Sequence, residues 1–297
     1  MKEGSKGRGK RLLIAGLTVP VLFAVLVLFL QYSESQRVAA QQQRLQSAKA
    51  DYQAFQFAML ADLPEPVARY FRYALSDGQP FIASVVLSQR GMLRTAISSA
   101  DWIPFTANQV AAPAAPGFVW QAKVNVRPGF YVSVVDSYHR GVGAGRVSLL
   151  GALPVAQAES VAELNAGALH RYLAEAVWYP TALLPQAGVQ WTALNDNAAI
   201  ATLTDNGVTV SLEFRFNDIG EVTGIYTDGR FGQFDGGYRK TPWQGAFANY
   251  QLVEGMRVPH YGEVGWIIDG KLELVWKGEL DNVRYVFALD QAATSTE

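Results

Sequence analysis

The sequence predicts a mainly β protein of the α+β class: an N-terminal transmembrane helix and helical stalk, then a curved antiparallel sheet or incomplete β-barrel wrapped over one or two helices. Three observations predict it. Leu12 to Leu30 form an uncharged apolar run, with Thr18 its one polar side chain. A polar segment without Gly or Pro follows, from Ser33 to Ala61. Beyond Pro64, short alternating segments are punctuated by Asn-Gly and Asp-Gly pairs, the chemistry of hairpin turns.

The apolar run comes first. Nineteen helical residues rise roughly 28 Å, close to the hydrocarbon thickness of a bilayer. Lys2, Lys6, Arg8, Lys10 and Arg11 precede the run, opposed by Glu3 alone, and the next cation is Arg37. The positive-inside rule then places residues 1–11 in the cytoplasm, residues 12–32 in the inner membrane, and the rest in the periplasm. A cleaved signal peptide is the rival. Its apolar core would be shorter, and the small residues at Val38-Ala39-Ala40 lie well beyond the apolar edge.

Residues 33–62 read as the helical stalk. Val38, Leu45, Tyr52 and Met59 recur every seven residues, with Ala48 and Phe55 at the second seam position. That pattern permits a homodimer through a short coiled coil, although Gln41 and Asp62 also fall on the seam. The plainer reading is a stripe that rests on the domain the stalk carries.

Residues 63–290 form the outer domain, ahead of a disordered tail at 291–297. Glu65 to Leu75 reads as a short helix with Val67, Tyr70 and Phe71 inward. Phe81–Leu87 and Met92–Ile97 read as a hairpin through Arg90-Gly91, and Phe118–Val126 and Phe130–Tyr138 flank a turn at Pro128-Gly129. Val208, Val210, Leu212, Phe214 and Phe216 alternate with polar residues, as in a strand with one wet face. Asn206-Gly207, Asp269-Gly270, Asp77-Gly78, Asp228-Gly229 and Asp235-Gly236 read as turns. One helix interrupts the strands, capped by Ser160 with Glu163 at the capping-box position, running to about Val177, with Gly167 as a point of division into two pieces. Pro180 and Pro185 then predict an extended stretch.

Composition excludes several function classes. A net charge of −1 and a pI near 6.3 provide no electrostatic footprint for nucleic acid. The absence of cysteine excludes disulfides, thiolate metal sites and a Cys nucleophile. His139, His170 and His260 lie far apart, so no metal site is expected. Gly141-Val142-Gly143-Ala144-Gly145 lacks the third glycine of a dinucleotide loop and reads as a strand connection, so no cofactor is expected.

The candidate ligand-binding residues are Arg171, Tyr172, Glu175, Trp178, Trp243, Glu263 and Trp266. Arg171 and Glu175 are four apart and share a helix face, where they can pair. Tyr172 lies one residue round and can present its hydroxyl to a pocket. Glu175 and Glu263 are the candidates for a hydrolytic carboxylate pair, and no catalytic residue is assigned. The seven tryptophans include Trp178, Trp243 and Trp266, rings that fill core or rim a cavity.

The runs Arg171-Tyr172-Leu173-Ala174-Glu175 and Pro180-Thr181-Ala182-Leu183-Leu184-Pro185, with Pro242-Trp243, Val258-Pro259 and Gly262-Glu263-Val264-Gly265-Trp266, resemble a bacterial membrane-anchored family of unknown function. The resemblance spans roughly Leu63 to Val286 and implies no activity. More weakly, the hairpins, the inserted helix and the spacing of Tyr250, Gly255 and Pro259 resemble the lipoprotein-carrier (LolA-like) half-barrels, which implies an apolar cavity for acyl chains. The leading expectation is a tethered module that binds a lipid or other apolar ligand. The alternatives are an interaction protein assembling through its stalk and an envelope hydrolase using Glu175 and Glu263.

Overall fold

The computed structural model describes residues 5–47 and 54–288, with the side chains of residues 5–19 outside the description. Two meanders share one sheet. The first is β1 (Ile82–Leu93), β2 (Ile103–Ala112), β3 (Gly117–Arg127), β4 (Phe130–His139), β5 (Val142–Leu149) and β6 (Leu153–Glu159). The second is β7 (Gln190–Asn195), β8 (Ala198–Asp205), β9 (Val208–Phe216), β10 (Val222–Phe234), β11 (Gly237–Val253), β12 (Met256–Ile268) and β13 (Lys271–Phe287). β1 pairs antiparallel with β13, giving a 13-stranded sheet whose edges are β6 and β7. The chain thus starts mid-sheet, walks to one edge, crosses to the other and returns to the middle.

The crossing is made by α3 (Ala162–Glu175), which lies on the concave face and packs against β4 and β5 on one side and β9 and β10 on the other. Close packing needs small residues where backbones meet. A Cβ on Gly143 of β5 would lie 2.8 Å from the Leu164 carbonyl, and one on Gly167 would lie 2.8 Å from the Phe231 carbonyl of β10. Hairpin ends also meet: Tyr138 Oη donates to Asp205 Oδ2 at 2.8 Å, and the Gly141 amide donates to the same oxygen at 3.0 Å. The helix and these bonds hold the open sheet in a curl.

One end of the interior is filled. α2 (Glu65–Ala74) starts after Pro64, with Pro66 in its first turn, and buries Val67, Tyr70, Phe71 and Ala74 against the sheet with Phe55, Tyr179 and Leu183. Each such large side chain contributes roughly 1.5–3 kcal/mol by leaving water.

α1 (Ser5–Gln46) carries the apolar run and the first part of the stalk as one helix. Val38 and Leu45 are buried with Val110, Val119 and Val135 on the convex face of β2 to β4. Those two seam positions face the chain's own sheet, as in the plainer reading of the stalk. The helix ends at Gln46; Ala48 and Tyr52 lie outside the described residues, and Phe55 belongs to the main core. Among the described residues no helix is long and apolar enough to cross a membrane, and positions 12–19 of the apolar run carry side chains outside that set. The tail at 291–297 also lies outside the described residues.

Several local expectations are corrected. Arg90-Gly91 is no turn: β1 runs straight through it, and the backbone of its neighbour β13 leaves no room for a Cβ at Gly91. Asp228-Gly229 is a bulge inside β10, at a register shift between Thr227 and Arg230. Ser160 does not cap α3; Val161 holds that position, and Ser160 has φ of 57° with its amide donating to the Gly143 carbonyl. Gly167 does not divide α3. The segment around Pro180 and Pro185 forms short 3-10 turns, Ala176–Trp178, Pro180–Leu183 and Pro185–Ala187, because proline's fixed φ suits the first position of a helical turn. Gly143, Gly145 and their neighbours lie within β5 rather than in a loop.

Candidate functional site

The other end of the interior is a cavity of about 540 Å³. Its wall is apolar along the strands: Trp120, Val124 and Val126 of β3, Val132 and Val134 of β4, Trp243 and Phe247 of β11, Val264 and Trp266 of β12, Val275 and Trp276 of β13. α3 contributes Arg171, Ala174 and Glu175, and the turn after it contributes Trp178. Six of the seven sequence-derived candidates therefore share one wall: Arg171, Glu175, Trp178, Trp243, Glu263 and Trp266. Tyr172 is not among them. One residue is about 100° round a helix, and this turns Tyr172 into the packed core, 1% exposed, against the Tyr179 ring.

A charge cluster lies where α3 meets the wall. Arg171 Nε donates to Glu175 Oε1 at 2.7 Å and Nη1 donates to Asp136 Oδ2 at 2.8 Å. Its guanidinium covers the Phe118 and Trp120 rings at 5.0 and 4.7 Å. Burial works to lower the Arg171 pKa, but the Glu175 and Asp136 carboxylates outweigh it and the pKa rises. Glu175 Oε2 accepts from Gln109 Nε2 at 2.6 Å, so both of its oxygens are engaged. Glu263 accepts from the Tyr261 hydroxyl at 2.6 Å; burial and then this bond push Tyr261 up to about 12. Glu175 and Glu263 thus hold separate partners on the lining of one cavity.

Arg230 is different. It leaves the β10 bulge and donates from Nε and Nη2 to the Gly167 carbonyl at 3.2 and 3.0 Å. Its guanidinium lies over the cross-strand neighbours Trp243 and Trp266, 4.6 and 5.2 Å from their ring centroids. The described residues offer it no ion pair, because Arg171 takes both nearby carboxylates. Burial, then the Arg171 charge, lowers its pKa to about 10, so it stays cationic at neutral pH. The Trp178 indole Nε1 is also buried without a hydrogen-bond partner among the described residues.

Asp136 and Arg230 were not found by sequence reasoning. Asp136 carries a signal, since it shares its strand parity with Val132 and Val134, which face the cavity. Arg230 carries none, because the bulge shifts parity just before it.

The histidines are scattered, and among the described residues no group of three His, Asp or Glu side chains converges to hold a metal. His170 is buried, with Nδ1 3.1 Å from the Ala166 carbonyl and Nε2 3.2 Å from the Ser211 carbonyl. A neutral imidazole donates to one of these at a time. Burial, then the Arg230 charge, lowers its pKa to about 4. A histidine with a depressed folded pKa lends stability that is complete above about pH 6.5 and lost as pH falls towards 4. Urea unfolding of His170→Gln across that range is expected to lose this part of the slope; an unchanged slope would remove His170 as its source.

A family model described as a family of unknown function, DUF6920, matches residues 61–285. Among solved structures, the chain is similar to a LolA superfamily protein from Nitrosomonas europaea, at 8% identity and a TM-score of 0.39, covering 74% of this chain and 91% of that one. It is also similar to a porin-like protein from Bacteroides uniformis ATCC 8492, at 8% identity and a TM-score of 0.23, covering 69% and 97%. Both superpositions are too loose to bear on a ligand. No curated protein matches the chain.

Proposed function

We propose, for a chain that belongs to the DUF6920 family of unknown function, that it is a membrane-tethered binding module holding one apolar chain with an anionic head in its half-barrel cavity. The observation that carries this is Arg230: a cation packed over two indole rings in an apolar cavity, with no ion-pair partner among the described residues. A desolvated guanidinium gains most from an acidic oxygen, which accepts charge-assisted hydrogen bonds. The cavity volume falls within the range of about 300–1,000 Å³ typical of small-ligand sites, and aliphatic and indole side chains suit an acyl chain.

Leu12–Leu30 would tether the module to the inner membrane with the domain in the periplasm. Support comes from α1, where Val21, Leu22, Phe23, Val25, Leu26, Leu28 and Phe29 are all half exposed or more, over more than half of the helix circumference. Water makes such a surface costly and lipid does not.

The test is tryptophan quenching in the purified full chain by a bromine-labelled fatty acid and by the fatty alcohol of equal length. The acid is expected to bind about tenfold tighter than the alcohol, and Arg230→Met to erase that preference while leaving alcohol binding, and hence the fold, intact. Val134→Asp, a charge in the apolar wall, is expected to abolish both. Absence of quenching by either ligand would end the cavity reading.

A further inference from the structure

We infer that the cavity mouth rests on the bilayer, so that the cavity opens onto lipid rather than water. This rests on the tethering read above, and its geometry comes from separate contacts. Strand register defines one end of the sheet by the tips of three hairpins: β3–β4 at Pro128-Gly129, β5–β6 at Leu150 to Ala152, and β12–β13 at Asp269-Gly270. The cavity opens at this end. Val126, the last apolar residue of β3, both lines the cavity and is 43% exposed, whereas the opposite end of the interior is plugged by α2.

α1 is fastened so that its apolar part leaves at the same end. Gln31 Nε2, one residue after the run, donates to the Leu150 carbonyl at 2.7 Å, and Glu34 pairs with Arg146 of β5 at 3.4 Å. Further along, Leu45 packs where Gly117 begins β3, at the other end of the sheet. The helix therefore runs antiparallel to β3's outward course, and its lipid-suited residues begin level with the hairpin tips. Two of those tips carry exposed apolar side chains: Phe130 and Leu153 are each 41% exposed and flank the residues that Gln31 holds, while the third is Asp269-Gly270. Exposed aromatic and aliphatic tips beside the emergence of an apolar helix match the interface of a bilayer, where an apolar body can dip below the headgroups.

Because the chain has no cysteine, single labels report one site each. The full chain is reconstituted into phosphatidylcholine–phosphatidylglycerol vesicles with an environment-sensitive fluorophore at Phe130→Cys, Leu153→Cys, Phe29→Cys or Leu252→Cys. Leu252 is exposed near the far end of β11 and serves as the distal control. Vesicles carrying a nitroxide high on the acyl chain are expected to remove most fluorescence at positions 130, 153 and 29 and almost none at 252. Quenching at 29 with none at 130 and 153 would overturn the inference and leave the tether standing. No quenching at any position would overturn both. Far-ultraviolet circular dichroism of each labelled chain confirms that the fold is retained.

Discussion

Arg171→Met is expected to cost about 3 kcal/mol of stability, measured by urea unfolding of the full chain. The arginine holds two carboxylates at once, Glu175 at 2.7 Å and Asp136 at 2.8 Å. Its removal leaves both beside apolar walls with no cation in contact, and breaking a buried pair from one side costs roughly 3–5 kcal/mol. The lower figure applies because the Asp136 side chain is 39% exposed and keeps some solvation. A further result follows from the same cause. Adding Glu175→Gln should recover part of the loss, and a double-mutant cycle measures the coupling. No recovery would mean that Arg171 acts by packing on Phe118 and Trp120, not by charge.

Gly91→Ala is expected to be about as damaging, at 3 kcal/mol or more, above the usual range of overpacking by a methyl group. A Cβ there would lie 2.1 Å from the Lys277 carbonyl, 2.7 Å from the Gly278 Cα and 2.9 Å from the Phe105 ring. Two of these atoms are backbone and cannot swing aside. The position also sits on the β1–β13 seam, which joins the two meanders into one sheet. Gly278, directly opposite, is the contrast: its Cβ would first meet the Trp276 ring at 2.7 Å, a side chain able to yield in part. Thermal melts should therefore rank Gly91→Ala below Gly278→Ala. The reverse order would show that the seam tolerates separation and that the aromatic packing does not.

The same glycine shows how far the sequence could be read. Asn206-Gly207 and Asp269-Gly270 were legible as turns and are turns, with φ of 46° and 82°, and of 49° and 77°. Arg90-Gly91 and Asp228-Gly229 also end in glycine, yet one is a close strand pairing and the other a bulge. Glycine is selected both for positive φ and for lack of a Cβ, and only the neighbouring strand distinguishes the two. The strand at Val208–Phe216 was readable to the residue because one of its faces meets the core and the other water. The proline-rich segment was misread because proline fixes φ alike for an extended chain and for the first residue of a 3-10 turn.

At the site, the Arg171–Glu175 pair was legible because four residues make about one helical turn, a distance the chain itself sets. Periodicity likewise identified the β-rich class, the inserted helix and the aromatic stock that lines the wall. Tertiary structure alone decided the rest. It brought Asp136 of β4 and Arg230 of β10 to the helix from opposite halves of the sheet, left Arg230 without an ion pair among the described residues, and turned Tyr172 away into the core. Local pattern records which face of an element is apolar; how tightly the sheet curls, and so which charges meet across it, depends on contacts between residues far apart in the chain.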